Sequence, residues 1–188
     1  MAIMFPVSLL SLAFTLLTPH IHVAIGIPFP DYISHEGGSR PISTRSVQDI
    51  VTQLNLVQSV EKGYYIETFE DPDHTSTGRN VSTAIYYLLE GSAGPSYWHR
   101  VDATEVWHYY AGAPLQLSLS RNDSAPVTHK VLGADIFSGQ QPQIVIPKTV
   151  WQRARSLGMW TLVGTTMAPG FDESGFELAP PDWQPNGV

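Results

Sequence analysis

The chain has 188 residues, of which 43% are hydrophobic and only 14% charged; its formal net charge is −7 and it has no cysteine. The missing cysteine excludes a disulfide framework, thiolate zinc sites and a Cys nucleophile. The missing basic footprint argues against nucleic acid as a partner and against an anionic membrane surface.

In chain order, the first feature is Met4 to Leu17 (MFPVSLLSLAFTLL), an apolar run without a charge. It is shorter than the ~20 residues a membrane span needs. Residues 1–26 are therefore expected to be a signal peptide, cut between His22 and Ile27. That predicts a protein of the secretory pathway or the extracellular space, with no stable membrane insertion after cleavage. The sequons at Asn80 (Asn-Val-Ser) and Asn122 (Asn-Asp-Ser) agree with export and are expected glycosylation sites. Residues 27–44 hold Pro28, Pro30, Gly37, Gly38 and Pro41 without a period, a flexible lead-in.

Ser46 to Val60 is expected to be one helix. Val47, Ile50, Val51, Leu54 and Val57 recur at helical spacing, and Thr44 or Ser46 can cap the start. From Gly63 onward the pattern is strand after strand: Tyr64 to Phe69, Ser82 to Leu89, Tyr97 to Val101, Glu105 to Ala111 and Leu115 to Ser120, then Thr128 to Leu132, Gln143 to Pro147, Trp151 to Arg155 and Trp160 to Thr166. Short strands at this spacing, separated by Gly- and Pro-rich turns, predict an all-β barrel or sandwich over residues 45–180. The nearly continuous apolar run from Ser82 to Leu89 suits a strand buried on both faces. Residues 181–188 are expected to be an irregular tail.

The informative stretch is Gly94 to Gly112, GPSYWHRVDATEVWHYYAG. His99 closes one strand and Glu105 opens the next, with Asp102 in the turn between them. A hairpin there would bring imidazole and carboxylate to one mouth of a barrel, where they can bind a metal or move a proton. Strand alternation puts Trp107 and Tyr109 on the face of Glu105 and His108 on the opposite one. Asp172, after Pro169-Gly170-Phe171, either caps a turn or reaches the ligand. No Gly-x-Ser-x-Gly elbow, Walker loop or strand-linked Rossmann glycine pattern is present, so serine hydrolases, NTPases and dehydrogenases have no support.

The same stretch resembles the first motif of the cupin superfamily, with His99, Glu105 and Gly112 at three of its intervals. Pro147-Lys-Thr-Val-Trp151-Gln152 echoes the second motif. A closer resemblance is to a cupin subfamily grouped as a domain of unknown function, with fungal and bacterial members. It is carried by Ser82-Thr-Ala-Ile-Tyr86, Trp98-His-Arg-Val101, Glu105-Val-Trp-His108, Pro142-Gln-Ile-Val-Ile-Pro147 and Ala168-Pro-Gly-Phe-Asp172, and it spans roughly Gln48 to Ala179. The resemblance implies a double-stranded β-helix, or jelly roll, that is often a homodimer. Two departures qualify it. Val101 and Gln152 stand where the superfamily has His, which leaves His99, Glu105 and Gln152 as the donors of any metal; a tight catalytic metal, or any other cofactor, is not expected. Glu61-Lys-Gly-Tyr-Tyr-Ile66-Glu67 stands where the subfamily shows Glu-Gly-Gly-aromatic-aromatic-Arg-Glu, so Ile66 in place of Arg predicts a less acidic ligand.

The expected function is binding of a small organic molecule and metal-independent acid/base chemistry on it, of the isomerase, epimerase, cyclase or lyase kind, with natural-product metabolism as the setting by analogy. His99 is the expected acid/base and Glu105 the group that orients it, with Gln152, Trp107, Tyr109, Tyr65, Glu67 and Asp172 as ligand contacts. The alternatives are a secreted ligand- or sugar-binding module without catalysis, and a metal-dependent dioxygenase or decarboxylase, which Val101 and Gln152 disfavour.

Overall fold

The computed structural model describes residues 40–187, so the expected signal peptide and most of the expected lead-in lie outside the described residues. Helix α1 (Val47–Leu54) starts at a reciprocal cap: the Ser46 hydroxyl accepts from the Asp49 N–H, and the Asp49 carboxylate accepts from the Ser46 N–H. It ends six residues earlier than the apolar spacing predicts. Asn55 takes the left-handed conformation (φ 54°, ψ 39°) and closes the last turn on the Thr52 and Val51 carbonyls, a geometry that Asn tolerates better than other side chains. Released from the helix, Val57–Gln58 becomes strand β1.

The remaining strands are β2 (Tyr64–Glu70), β3 (Thr83–Glu90), β4 (His99–Val101), β5 (Thr104–Gly112) and β6 (Leu115–Ser120), followed by β7 (Thr128–Leu132), β8 (Gln143–Ile146), β9 (Trp151–Ser156), β10 (Trp160–Ala168) and β11 (Phe176–Leu178). They form two antiparallel sheets, ordered β1-β2-β3-β10-β5-β8 and β11-β4-β9-β6-β7. β4 and β5 are not the expected hairpin. β4 pairs with β9 and β11, and β5 pairs with β10 and β8, so the two-residue corner Asp102–Ala103 carries the chain from one sheet to the other. Arg79 ties this corner down, with Nη1 2.9 Å from the Asp102 carboxylate and Nε donating to the Gly170 carbonyl. His99 and Glu105 therefore approach each other from different sheets.

Between the sheets lies an aliphatic core with Leu89, Leu115, Leu117, Leu132, Ile144 and Val163 at its centre; each such side chain contributes about 1.5–3 kcal/mol of burial. On the outer face of the larger sheet, α1 covers Leu88, Trp160 and Leu162 with Ile50. β3 is thus buried on both faces over Tyr87–Leu89. The C-terminal segment is irregular in backbone but fixed in place. Trp183 packs on Trp151 (ring centroids 4.4 Å apart) and meets Trp98 edge-on, and the Trp98 indole N–H donates to Gln184. Among the described residues, no helix is long and apolar enough to cross a membrane.

Candidate active site

A cavity of about 410 Å³ opens at one end of the two sheets, within the size range of small-molecule sites. β2 contributes Tyr65 and Glu67 to it, β3 Ile85 and Tyr87, β4 His99 and Val101, and β5 Glu105 and Trp107. β10 adds Thr165 and Met167, and Phe171 and Phe176 close one side. Trp107 also belongs to the packed core, so its ring marks where solid packing ends and open volume begins.

His99 is 3% exposed and Glu105 6%. Burial pushes the His99 imidazole below its usual value against the opposing pull of the Glu105 charge and the Tyr97 backbone, which leaves the ring neutral near pH 7. Burial likewise raises the Glu105 carboxyl, opposed by His99 and by hydrogen bonds from Gln152 and Thr165. Gln152 is fully buried and is not on the cavity wall. Its Nε2 donates to Glu105 at 2.6 Å and its Oε1 accepts from the Trp107 indole at 3.1 Å. It is a strut behind the carboxylate rather than the expected ligand contact.

The residue that sequence reasoning missed is Glu61. It precedes β2 in a turn where Lys62 (φ 85°) and Gly63 (φ 70°) both have positive φ. Lys62 is held there by hydrogen bonds from Nζ to the Ala93 and Pro95 carbonyls, by the Tyr97 ring 4.9 Å below, and by the Tyr87 hydroxyl on its own carbonyl. The Tyr97 N–H fixes the Glu61 carbonyl. The Glu61 carboxylate reaches within 3.2 Å of His99 Nδ1, with its side chain one-fifth exposed. The approach does not have hydrogen-bond geometry, and Nδ1 keeps no hydrogen-bond partner. Burial raises the Glu61 carboxyl from 4.5 to about 7. The available signal was a Glu two residues before a turn glycine that leads into a pocket-lining strand.

Of the other expected contacts, Tyr65, Glu67 and Trp107 line the cavity, Tyr65 and Glu67 at its exposed mouth. Tyr109 does not line it. Its ring packs against the aliphatic core and its hydroxyl donates to the Gly112 carbonyl. Asp172 is also outside, an exposed cap that accepts from the Ser174 N–H and hydroxyl at 2.8 and 2.6 Å. Ile66 faces away from the cavity into the cluster under α1, so its replacement of Arg does not set ligand preference through contact, contrary to expectation. His108 lies on the outer face, 3.3 Å from the Thr166 hydroxyl. Asn80 spends its amide N–H on the Asp71 carbonyl, whereas Asn122 sits on a turn and accepts from the Asn186 N–H.

A metal, which the superfamily resemblance implies, does not fit this donor set. Val101 offers hydrocarbon where a second imidazole would stand, and the Gln152 amide is engaged at both ends. Among the described residues, no three His, Cys, Asp or Glu side chains are grouped to hold an ion.

Comparison with known proteins agrees with this architecture. A family model described as "Cupin superfamily (DUF985)" matches residues 48–179. No curated protein matches the sequence. Among solved structures, a hypothetical protein from Leishmania major superposes with a TM-score of 0.64 at 27% identity, covering 71% of this chain and 86% of its own. A protein from Shewanella oneidensis superposes with a TM-score of 0.66 at 30% identity, covering 72% and 85%.

Proposed function

Because the chain belongs to the DUF985 family of the cupin superfamily and folds as its double-stranded β-helix, we propose that it binds a small organic molecule between the sheets and moves a proton on it with its own side chains. The reaction class is isomerisation, epimerisation, cyclisation or elimination, which needs no change of oxidation state. One observation carries the reading: a buried imidazole, a buried carboxyl and a half-buried one, His99, Glu105 and Glu61, share a cavity whose other walls are largely apolar. Gathering three titratable groups in one cavity, two of them buried, costs stability and is a mark of function.

Glu61 supports the role of acid/base. With a pKa of about 7 it populates both protonation states near neutrality, the condition under which a group takes and returns a proton most effectively. His99, neutral and with an unpartnered Nδ1, is placed to accept a proton from the ligand or to hydrogen-bond a developing charge. Glu105, held by Gln152 at 2.6 Å, fixes the field around His99 and does not need to move. The expected homodimer and the expected export, which rests on Met4 to Leu17, belong to this proposal.

The test starts from whatever compound native mass spectrometry recovers from the cavity. Incubated with protein in D₂O, that compound is expected to rearrange or to take up deuterium, and His99→Gln and Glu61→Gln are each expected to lower the rate at least about a hundredfold. A recovered compound that neither rearranges nor exchanges would make the protein a binding module and overturn the catalytic reading.

A further inference from the structure

The charges around the cavity point to the head group of its ligand. Among the described residues, three carboxyls line it, Glu61, Glu67 and Glu105, and no Lys or Arg does. The nearby cations are engaged elsewhere. Lys62 turns to the Ala93 and Pro95 carbonyls, Arg79 to Asp102, and Arg100 to Glu177 at 2.6 Å. A phosphate or carboxylate entering this space would meet like charge and no counter-charge.

The hydrogen-bonding inventory agrees independently. The Tyr87 hydroxyl is spent on the Lys62 carbonyl. The Nδ1 atom of His99, itself 3% exposed, has no partner, and a Glu61 carboxylate oxygen lies 3.2 Å from it. Acceptors are therefore in excess at the buried end of the cavity, and a ligand group rich in N–H donors would satisfy them. Rings also wall the cavity, Trp107 and Phe176 deeper in and Tyr65 and Phe171 at exposed positions. Aromatic faces attract cations and solvate an apolar body equally well.

We propose that the cavity takes a primary ammonium carried on a small aromatic or aliphatic body, with the ammonium bridging the Glu61 carboxylate and His99 from the cavity side and Glu67 at the entrance. This deepens the proton-transfer reading, because it names the ligand class of that same site. Binding couples to protonation. Glu61 must be ionised to pair with the ammonium, and burial holds its pKa at about 7, so binding expels a proton below that pH. His99, Glu105, Tyr87 and Glu67 face the same space, while Lys62 turns away. Affinity therefore rises as pH passes from 6 to 8.

Calorimetric titration with phenethylamine, 2-phenylethanol and phenylacetate separates the head groups on one body. The ammonium is expected to bind at least about tenfold more tightly than the alcohol at pH 8, and the carboxylate not to bind. Glu61→Gln is expected to remove that preference, bringing ammonium and alcohol to within about twofold of each other. Glu67→Gln, at an exposed position, is expected to weaken ammonium binding about threefold and serves if Glu61→Gln fails to fold. Equal or tighter binding of phenylacetate, no binding of the ammonium, or an ammonium affinity indifferent to both substitutions would overturn the proposal. Ammonium binding without proton exchange would instead remove the catalytic reading and keep the ligand class. Exchange on a neutral carbonyl compound, with no ammonium binding, would do the reverse.

Discussion

Glu61→Gln should stabilise this protein at alkaline pH, although it removes a group from the heart of the site. The folded carboxyl titrates at about 7 against an ordinary value of 4.5. Between those values the native state holds the proton more tightly than the unfolded chain. The stability linked to that proton is complete below about pH 4.5 and is lost as pH rises to 7 and above. At about 1.4 kcal/mol for each pH unit, the full displacement corresponds to about 3 kcal/mol, and water reaching the exposed fifth of the side chain brings the expectation to about 2 kcal/mol. Gln has the same shape and no charge to desolvate. Urea denaturation of both proteins from pH 4.5 to 8 should show near-equal stability at the acid end and the Gln variant ahead by about 2 kcal/mol at pH 8. Glu105, raised by burial, changes stability in the same direction as Glu61, and His99, lowered by burial, in the opposite one; both are present in each protein and largely cancel in the difference, apart from the smaller upward push that the Glu61 charge gives Glu105. A difference that does not vary with pH, or a wild type more stable at pH 8, would refute the reasoning.

Other perturbations test the frame around Glu61. Gln152→Leu leaves the Trp107 indole N–H and a Glu105 oxygen without partners, and should cost about 2–4 kcal/mol in chemical denaturation; a loss under about 1 kcal/mol would mean the strut is dispensable. Trp183→Ala opens the stack on Trp151 and Trp98 and should cost about 2 kcal/mol, read as a lower urea midpoint with unchanged slope. Protein dialysed against zinc, manganese or iron(II) should retain far less than one equivalent by elemental analysis, and a tightly held stoichiometric ion would contradict the donor argument. Secreted from a eukaryotic host, the chain should carry glycan at Asn122, on an exposed turn, and little at Asn80, whose amide N–H is bound to Asp71; peptide mapping decides between them.

Sequence patterning located the barrel strands well because their signal is local. β6 and β7 have the expected limits, since each is a short run bounded by turn clusters. It failed where a single backbone conformation or a distant partner decides. Asn55 ends α1 by its left-handed geometry, which apolar spacing does not register. β11 is three residues around an exposed Glu177 and exists because β4 offers a free edge. The Asp102–Ala103 turn has the composition of a hairpin, and only the pairing of its neighbours makes it a passage between sheets. At the site, strand alternation gave Tyr109 the face of Glu105 but not its position along the strand, which packs the half-buried ring against the core beyond the cavity. Ile66 was assigned a role by position in a phrase, while its own alternation with Tyr65 and Glu67 points it outward. Glu61 meets His99 across 38 residues of chain, through a turn fastened by Lys62 to the 93–95 loop, and no local period encodes that approach.

The doubly engaged amide of Gln152 also closes a route of descent. An imidazole introduced there would strand the Trp107 indole and strip Glu105 of its 2.6 Å donor before position 101 supplied a second nitrogen. Ion-dependent chemistry would therefore need several coordinated changes at once, whereas new specificities have an easier path through the rim, where the exposed Tyr65 and Glu67 can vary without disturbing the interior.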